Sequence, residues 1–451
     1  MITYSIIQKS ELEGTQRLDA EYYHPAYVHV VNTVQSHAPF KKIEEIAKIL
    51  RGRNPTKYTE SGIPVIRAVD LRDITNWENV LNSSDQENLF YLKYGDILVS
   101  SIGAGSIGKI QLFLETDKKV ATVSEVSVIR TKNYSPFALA VFLMSKYGYL
   151  QLERRITGST GQLHLYPKDI GTVLTPILDQ RAQNQLEDMI SASHKHLMQS
   201  KSLYLQAEQM LLDELGLDRV DFSQSNYYSV SLSQAQKVNR VDAEYFQPKY
   251  DKLIEHLKKT GKTKLLGEIT AYIKRGVQPT YVKDGEIIVI NSQHLGRYLL
   301  NIEATERTNY TFWEMNRRSR LQRGDVLVYS TGAYVGRTNV WFEDRRGIAS
   351  NHVTIIRPKE VCDSFYLAVY LNASPGLLQA EKCAAGSGQR EIYPDAITDF
   401  LIYLPSEEFQ IEIANLITQS CDARKKAKVL LGEAKEIVEG MIEGEIKKEV
   451  V

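Results

Sequence analysis

"RLDAEYYHPAY" at residues 17–27 and "RVDAEYFQPKY" at residues 240–250 are nearly the same phrase. A polar-aromatic string this particular marks a duplication, and the repeat runs far past it. "YSIIQ" at Tyr4 answers "YSVSL" at Tyr228, and "KILRGRNPTKYTESGIPVIRAVDL" (48–71) answers "YIKRGVQPTYVKDGEIIVINSQHL" (272–295). "YGDILVSSIGAGSIGK" (94–109) answers "RGDVLVYSTGAYVGR" (323–337), "EVSVIR" (125–130) answers "HVTIIR" (352–357), and "GQLHLYP" (161–167) answers "GQREIYP" (388–394). One unit of about half the chain, present twice, accounts for nearly everything, and the small drift in spacing places the insertions in loops.

Each copy opens with a mixed body. "GIPVIRAVDL", "GDILVSSI" and "ATVSEVSVIR" are β-branched runs bounded by turn residues, which predicts strands. Residues 135–156 and 362–382 read as helices. A long helix follows each body, entered just after Pro176 or Pro405, and Gly216 suits the end of the first. Both carry heptad spacing. Steps of four and three give Leu186, Ile190, Ser193, Leu197, Ser200, Tyr204, Ala207 and Leu211 in the first. In the second they give Ile413, Ile417, Ser420, Arg424, Ala427, Leu431, Ala434, Val438 and Met441.

That spacing is a coiled-coil seam, and each helix would be roughly 55 Å long. A seam needs a partner, and the nearest is the other copy. The fold class expected is α+β: two tandem mixed domains joined by two long antiparallel coiled-coil helices, with pseudo-two-fold symmetry. The boundaries expected are 1–178 for the first domain, 179–216 for the first long helix, 217–227 for a linker, 228–405 for the second domain and 406–451 for the second long helix. The seam residues expected to bind the partner helix are Leu186, Ile190, Leu197, Tyr204, Leu211, Ile413, Ile417, Leu431 and Val438.

An apolar fraction of 43% and a charged fraction of 24% over 451 residues suit a soluble chain with a real core. No run approaches the roughly 18 apolar residues of a membrane span, and the start lacks a basic-then-apolar leader. Three scattered cysteines (Cys362, Cys383, Cys421) suit neither a disulfide frame nor a zinc knuckle. A cytoplasmic protein with reduced thiols is expected. The 55 basic and 55 acidic residues cancel. If the chain binds DNA, the positive charge must be local or come from a partner.

"GAGSIGKI" (103–110) imitates two nucleotide-binding motifs. Gly103, Gly105 and Gly108 fit G-x-G-x-x-G, and Gly103 to Lys109 nearly fits the P-loop. Both need a helix next, to bring its N-terminus to the phosphate, but "KIQLFLE" reads as a strand. Ile110 also lacks the hydroxyl that a P-loop sets on Mg²⁺, and the second copy drops the pattern. A glycine turn between strands is expected. Hydrolase, metalloprotease, thiol-redox and adenine-methyltransferase signatures are absent. His194 and His196 are two apart on a helix, so they face different ways and are expected to be solvated rather than to share a metal. "RKKAK" (424–428) reads most simply as a solvated helix face, with contact to phosphates or a partner as the alternative.

The opening phrase, "GDIL" with its glycines, "GSTGQLHLYP…PILDQ" and "GSGQREIYP…LPSEEFQ" before long helices together resemble the specificity (S) subunit of Type I restriction–modification systems. The resemblance spans essentially the whole chain, in both copies. It implies that each mixed body is a target-recognition domain, that the helices form the antiparallel pair, and that the chain is not itself an enzyme. The implied partners are double-stranded DNA, two methyltransferase (M) subunits and restriction-motor (R) subunits, with no membrane. No cofactor is implied in this chain; S-adenosylmethionine, ATP and Mg²⁺ would sit on the partners. The family reads a bipartite site, two half-sites at a fixed spacing, and half-site spacing follows from the distance between modules. The scaffold phrases match between copies while the segments between them diverge, as two readers of different bases require.

Arg and Lys suit guanine, and Asn and Gln suit adenine. In the first copy the candidates for DNA contact are Arg51, Arg53, Asn54 and Lys57 of "RGRNPTKY", with Arg67, Ser101, Ser106, Gln162 and His164. In the second they are Arg275, Gln278, Tyr281, Asn291, Gln293, His294, Ser330, Tyr334, Gln389 and Arg390. No catalytic residue and no metal ligand is expected. Tyr166 and Tyr393 are expected to pack the junction between domain and helix. Asp19, Glu21, Asp242 and Glu244 are expected to orient structure, since carboxylates repel phosphate. Three other readings stay open: an enzyme with its own site, a protein scaffold that reads no bases, and an S-like chain of a related methylation or defence system.

Overall fold

The computed structural model describes residues 6–7, 17–37, 39–72, 80–103, 105–158, 163–223, 227–298, 300–302, 305–386 and 389–444. The chain divides into two compact units. One holds Met1–Met198 with Arg424–Val451, the other Gln199–Ala423. Each long helix is therefore shared between the units: Gln180–Leu215 changes unit after Met198, and Glu407–Glu443 changes unit after Ala423.

In the first unit, a four-stranded antiparallel sheet runs in the order Ala47–Arg51, Val126–Thr131, Ile97–Ser100, Ile110–Leu112. A second sheet runs Leu81–Ser83, Ile63–Ile66, Ala121–Thr122, Phe90–Tyr91, with Ile63–Ile66 and Ala121–Thr122 parallel. A short pair, Phe40–Lys42 with Leu174–Pro176, closes the body. The inner strands are continuously apolar because both faces are covered: Ile97, Leu98 and Val99 are fully buried. Leu98 joins the core shared with the second sheet, while Ile97 and Val99 join the core shared with the helices.

The second unit repeats this plan. Its four-stranded sheet runs Thr270–Arg275, Val353–Pro358, Asp325–Tyr329, Thr338–Trp341. Its second sheet runs Arg307–Thr308, Ile287–Ile290, Gly347–Ala349, again with one parallel pair. Thr263–Leu265 pairs with Leu401–Tyr403.

The single helices expected over 135–156 and 362–382 are each two. The first breaks into Pro136–Met144 and Lys146–Glu153 at Ser145, which is extended. The Ser145 hydroxyl donates to the Phe142 carbonyl at 2.6 Å, so the residue ends one helix while capping the next. The second breaks into Ser364–Asn372 and Ser374–Cys383 at extended Ala373, with Pro375 in the new first turn. A glycine permits each sharp bend. A Cβ on Gly148 would lie 2.2 Å from the Phe142 carbonyl oxygen, and one on Gly376 would lie 2.3 Å from the Leu371 Cα.

The long helices are antiparallel. In the first unit, Leu186 and Ile190 share a core with Ala434, Val438 and Ile442, and the Ser193 hydroxyl donates to the Ala427 carbonyl at 2.8 Å. In the second, Tyr204, Ala207 and Leu211 share a core with Ile413 and Ile417, and the Ser420 hydroxyl donates to the Ser200 carbonyl at 2.7 Å. Seven residues steps forward along one helix from 193 to 200 and back along the other from 427 to 420. Of the expected seam, Leu197 and Leu431 are half-buried and the other seven named residues are buried. One step differs: Ala423 is buried while Arg424 is half-buried. Toward the middle of the seam the Ser193 and Ser420 hydroxyls each reach the backbone of the opposite helix.

The glycine loop at 103–108 is a turn between strands, as its sequence indicates. Gly103, Gly105 and Gly108 all have positive φ, and strand Ile110–Leu112 follows. His194 and His196 are half-buried rather than solvated. No helix among the described residues is long and apolar enough to cross a membrane, and no three His, Cys, Asp or Glu residues among them cluster as metal ligands.

Candidate nucleic-acid interface

The loop after each edge strand is set by an Arg-Gly pair. The strands Ala47–Arg51 and Thr270–Arg275 run into Gly52 and Gly276, where the chain presses on the neighbouring backbone. A Cβ would stand 2.1 Å from the Val123 carbonyl oxygen at Gly52, and 2.2 Å from that of Ala349 at Gly276. This approach fixes where the following side chains emerge.

In the first unit, Arg51 Nε donates to the Ser124 carbonyl at 2.8 Å, and Asn54 Oδ1 accepts from the Ser124 amide at 2.9 Å. Both side chains thus hold the 124 turn while staying exposed. Arg53 and Lys57 are exposed beside them. Arg67 is half-buried, forked onto Asp70 at 3.1 Å by two nitrogens, and the hydrogen bond raises the guanidinium pKa. His164 pairs by backbone with Thr157 and Ile102, and its ring stacks on Tyr166 at 5.7 Å. Ser101 and Ser106 lie in the interior. The Ser101 hydroxyl sits 2.6 Å from that of Ser127 and faces no surface. Gln162 lies outside the described residues.

The second unit gathers two clusters. Arg275 pairs with Glu391 at 2.7 Å, donates to the Thr331 hydroxyl at 3.0 Å, and lies 5.1 Å from the Tyr393 ring centre. Around Glu306, Asn291 Nδ2 donates at 2.9 Å and Gln293 Nε2 at 3.0 Å, while the Tyr281 hydroxyl donates to Asn291 Oδ1 at 3.3 Å. His294 is buried, 3.4 Å from Glu306, and burial lowers its pKa despite that carboxylate. Ser330 is fully buried and shares a hydrogen with Thr354 at 2.6 Å, the counterpart of Ser101 with Ser127. Tyr334 is exposed, with the Arg337 guanidinium 3.5 Å above its ring. Gln278 and Gln389 are exposed, and exposed Arg390 reaches the Glu381 carbonyl at 3.3 Å.

Tyr166 and Tyr393 do not pack a junction. They are 42% and 53% exposed, and each stands beside a candidate: Tyr166 on His164, Tyr393 over Arg275. The proline after each starts a short helix, which fixes the backbone but leaves the ring outside. These two aromatics are the surface features that sequence reasoning missed, although their recurrence next to glycine loops was visible.

The opening phrase is a brace, tied to the rest of its unit by Arg154 on the Tyr22 carbonyl in the first copy and by Arg240 on the Cys383 and Ala384 carbonyls in the second. Arg17 forks onto Asp19 with Nε at 2.8 Å and lies 4.7 Å from the Tyr22 ring. Arg240 forks onto Asp242, also with Nε at 2.8 Å, and lies 4.6 Å from Tyr245. The guanidinium holds the Asp19 and Asp242 carboxyls below their ordinary pKa. A second recurring pair went unseen: Asp96 with Arg130, and Asp325 with Arg357. All four of its hydrogen bonds fall between 2.7 and 2.8 Å, and both carboxylates are almost wholly buried.

The family model of the Type I restriction modification DNA specificity domain matches residues 37–206, which cover most of the first body and most of the first long helix. By that match residues 37–206 belong to the family of Type I restriction–modification DNA specificity domains. Two solved structures are similar. The S subunit of a Type I restriction–modification system from M. genitalium has 13% identity, with 91% of this chain and 96% of that chain covered and a TM-score of 0.39. The HsdS subunit from Thermoanaerobacter tengcongensis has 15% identity, with 91% and 98% covered and a TM-score of 0.30. No curated protein sequence matches the chain.

Proposed function

We propose that the chain is the non-catalytic specificity subunit of a Type I restriction–modification complex. Each unit reads one half of a bipartite DNA site, and the chain docks two methyltransferase subunits and the restriction-motor subunits. S-adenosylmethionine, ATP and Mg²⁺ belong to those partners. The observation that carries the reading is the duplication itself: one frame built twice, with loops that differ in chemistry. Arg53, Asn54 and Lys57 stand where Val277, Gln278 and Tyr281 stand in the second copy. One frame with two linings suits an asymmetric site with two different half-sites.

The proposed base-reading groups are the candidates that are exposed or half-buried: Arg51, Arg53, Asn54, Lys57, Arg67 and His164 in the first unit, and Arg275, Gln278, Tyr281, Asn291, Gln293, Tyr334, Gln389 and Arg390 in the second. The test is a map of methylated bases in DNA from cells that express the methyltransferase with and without this chain. A bipartite motif that requires the chain supports the reading, and exchanging one body should then alter one half-site alone. Methylation indifferent to the chain would leave it a scaffold.

A further inference from the structure

Charge cancels over the whole chain and nearly cancels within each unit, +2 in the first and −2 in the second, but it is unevenly placed along them. Residues 67–130 of the first unit and their counterparts 291–357 in the second span equivalent strands and loops. The first stretch carries seven basic and nine acidic residues, a formal charge of −2. The second carries ten basic residues, every one an arginine, and six acidic, a formal charge of +4.

Part of that arginine is structural. Arg357 is forked onto Asp325. Arg320 pairs with Glu314 at 2.8 Å and lies 3.9 Å from the Trp313 ring centre. Arg323 lies 3.5 Å from the Phe342 ring and pairs with Asp344 at 3.0 Å. Of the other seven, two adjoin Arg320 at the surface. The Arg317 side chain is 79% exposed and reaches Glu314 only at 3.4 Å. Arg318 is exposed and has no ion pair among the described residues. The turn Arg317–Ser319 is tied to strand Thr270–Arg275 by a hydrogen bond from the Tyr272 hydroxyl to the Arg318 carbonyl.

The product is an open cleft of about 350 Å³ lined by Tyr272, Arg317, Arg318, Arg320, Gln322 and Arg357. Four guanidiniums and no carboxylate line it. In the first unit, counting back from the shared Gly-Asp, the positions of Arg317, Arg318 and Arg320 are held by Asn88, Leu89 and Tyr91. The surface beside them carries Glu87, Glu115 and Asp117 together with Lys118 and Lys119.

We propose that this cleft binds backbone phosphate of duplex DNA, so that the second unit grips the duplex more strongly than the first. The inference rests on the DNA-specificity reading above. A guanidinium fork matches phosphate oxygens. Arg320 and Arg357 are held in place beforehand by carboxylates and rings, and Arg317 and Arg318 supply the uncompensated charge. Tyr272 is three residues from Arg275, about 10 Å along the strand and on its opposite face, so the cleft is separate from the cluster around Arg275. It positions the duplex without reading bases.

The test uses the full chain assembled with its methyltransferase partner. Binding is followed by fluorescence anisotropy on a duplex carrying the mapped motif and on a scrambled duplex, across a salt series. R317A/R318A should flatten the slope of log K against log salt by about 2, equivalent to about a 30-fold loss at 0.15 M salt. The loss should be equal on both duplexes, and the methylated motif should not change. K118A/K119A, from the matching face of the first unit, should leave the slope as it was. An unchanged slope in R317A/R318A overturns the proposal, even if that variant loses affinity for inorganic phosphate, which would assign the cleft to a free phosphate ligand. Equal flattening by K118A/K119A overturns the asymmetry. Failure of the specificity reading looks different: the unsubstituted complex would then not distinguish the two duplexes.

Discussion

The two units use the same internal fastenings and differ in what they line with them. The buried carboxylate of Asp96 takes the Arg130 fork and the Lys93 amide, and that of Asp325 takes the Arg357 fork and the Gln322 amide. The Gln151 amide both donates to the Leu174 carbonyl at 2.9 Å and accepts from its amide at 3.0 Å. Gln379 does the same for Leu401, at 3.0 and 2.7 Å. Gln183 and Gln410, early in the long helices, each accept a backbone amide ahead of a helix in their own unit, at Ser135 and Asp363.

Differences begin in the cavities beneath the helices. The first, about 30 Å³, is lined by Met144, Leu431 and other mostly apolar groups, with Ser193 and His194 among them. The second, about 40 Å³, has Asn372 and Tyr204 at the equivalent places. There Asn372 Oδ1 accepts from the Thr338 amide at 2.8 Å, and its Nδ2 donates to the Tyr204 hydroxyl at 3.1 Å. Duplication thus kept the polar ties that hold strand to helix and freed the packing behind them to diverge.

This comparison can be broken at several strengths. Asp325→Ala should cost about 3 kcal/mol by stranding Arg357, and Asp96→Ala a similar amount by stranding Arg130. Both sit at the low end for buried pairs because each guanidinium is 29% exposed. Chemical denaturation with hydrogen exchange resolved by unit should show each loss in its own unit, and unequal costs would mean the fastenings are not equivalent. Gln151→Ala and Gln379→Ala should each cost about 2 kcal/mol, since a buried strand amide and carbonyl lose their partner. The same exchange experiment should show the loss first at 174–176 or 401–403.

Asn372→Met, which copies the first unit, should cost about 1 kcal/mol. Met144→Asn should not recover it, because Leu431 offers no hydroxyl where Tyr204 does; a stabilised M144N in a thermal melt would refute that account. The smallest effect concerns pH. Burial lowers the His294 pKa below its ordinary value, so the unfolded chain takes up the proton first as pH falls. Stability from this group should then decline from about pH 7 downward. Asp70 stands at this position in the first unit, and His294→Gln should reduce the acid sensitivity of the second unit alone.

Much of the fold was legible because the chain carries its own two-sequence alignment. The seam residues, the strands and the non-nucleotide glycine turn all followed from pattern and repetition. Repetition misled where it was read as function. Ser101 and Ser330 recur because each bonds a hydroxyl inside its sheet, not because DNA needs them. Recurrence marks the frame, whereas reading demands difference. The helix breaks at Ser145 and Ala373 were hidden inside apolar runs, where tertiary packing, not periodicity, decides where a helix turns. The Asp96–Arg130 pair was present in both quoted strings, yet 34 residues separate its members, and no local rule joins them.

Because the first unit includes residues from Arg424 onward, its body is made long before its last helical segment. At ribosomal rates of roughly 5–20 residues per second, the stretch from 199 to 423 takes about 10–45 s to appear. Throughout that interval Leu186 and Ile190 lack the residues that finally cover them, Ala434, Val438 and Ile442. The second unit holds both of its helix segments within one uninterrupted run of chain. The unit synthesised first is therefore the one that finishes last, and during manufacture it needs a temporary cover for its apolar stripe.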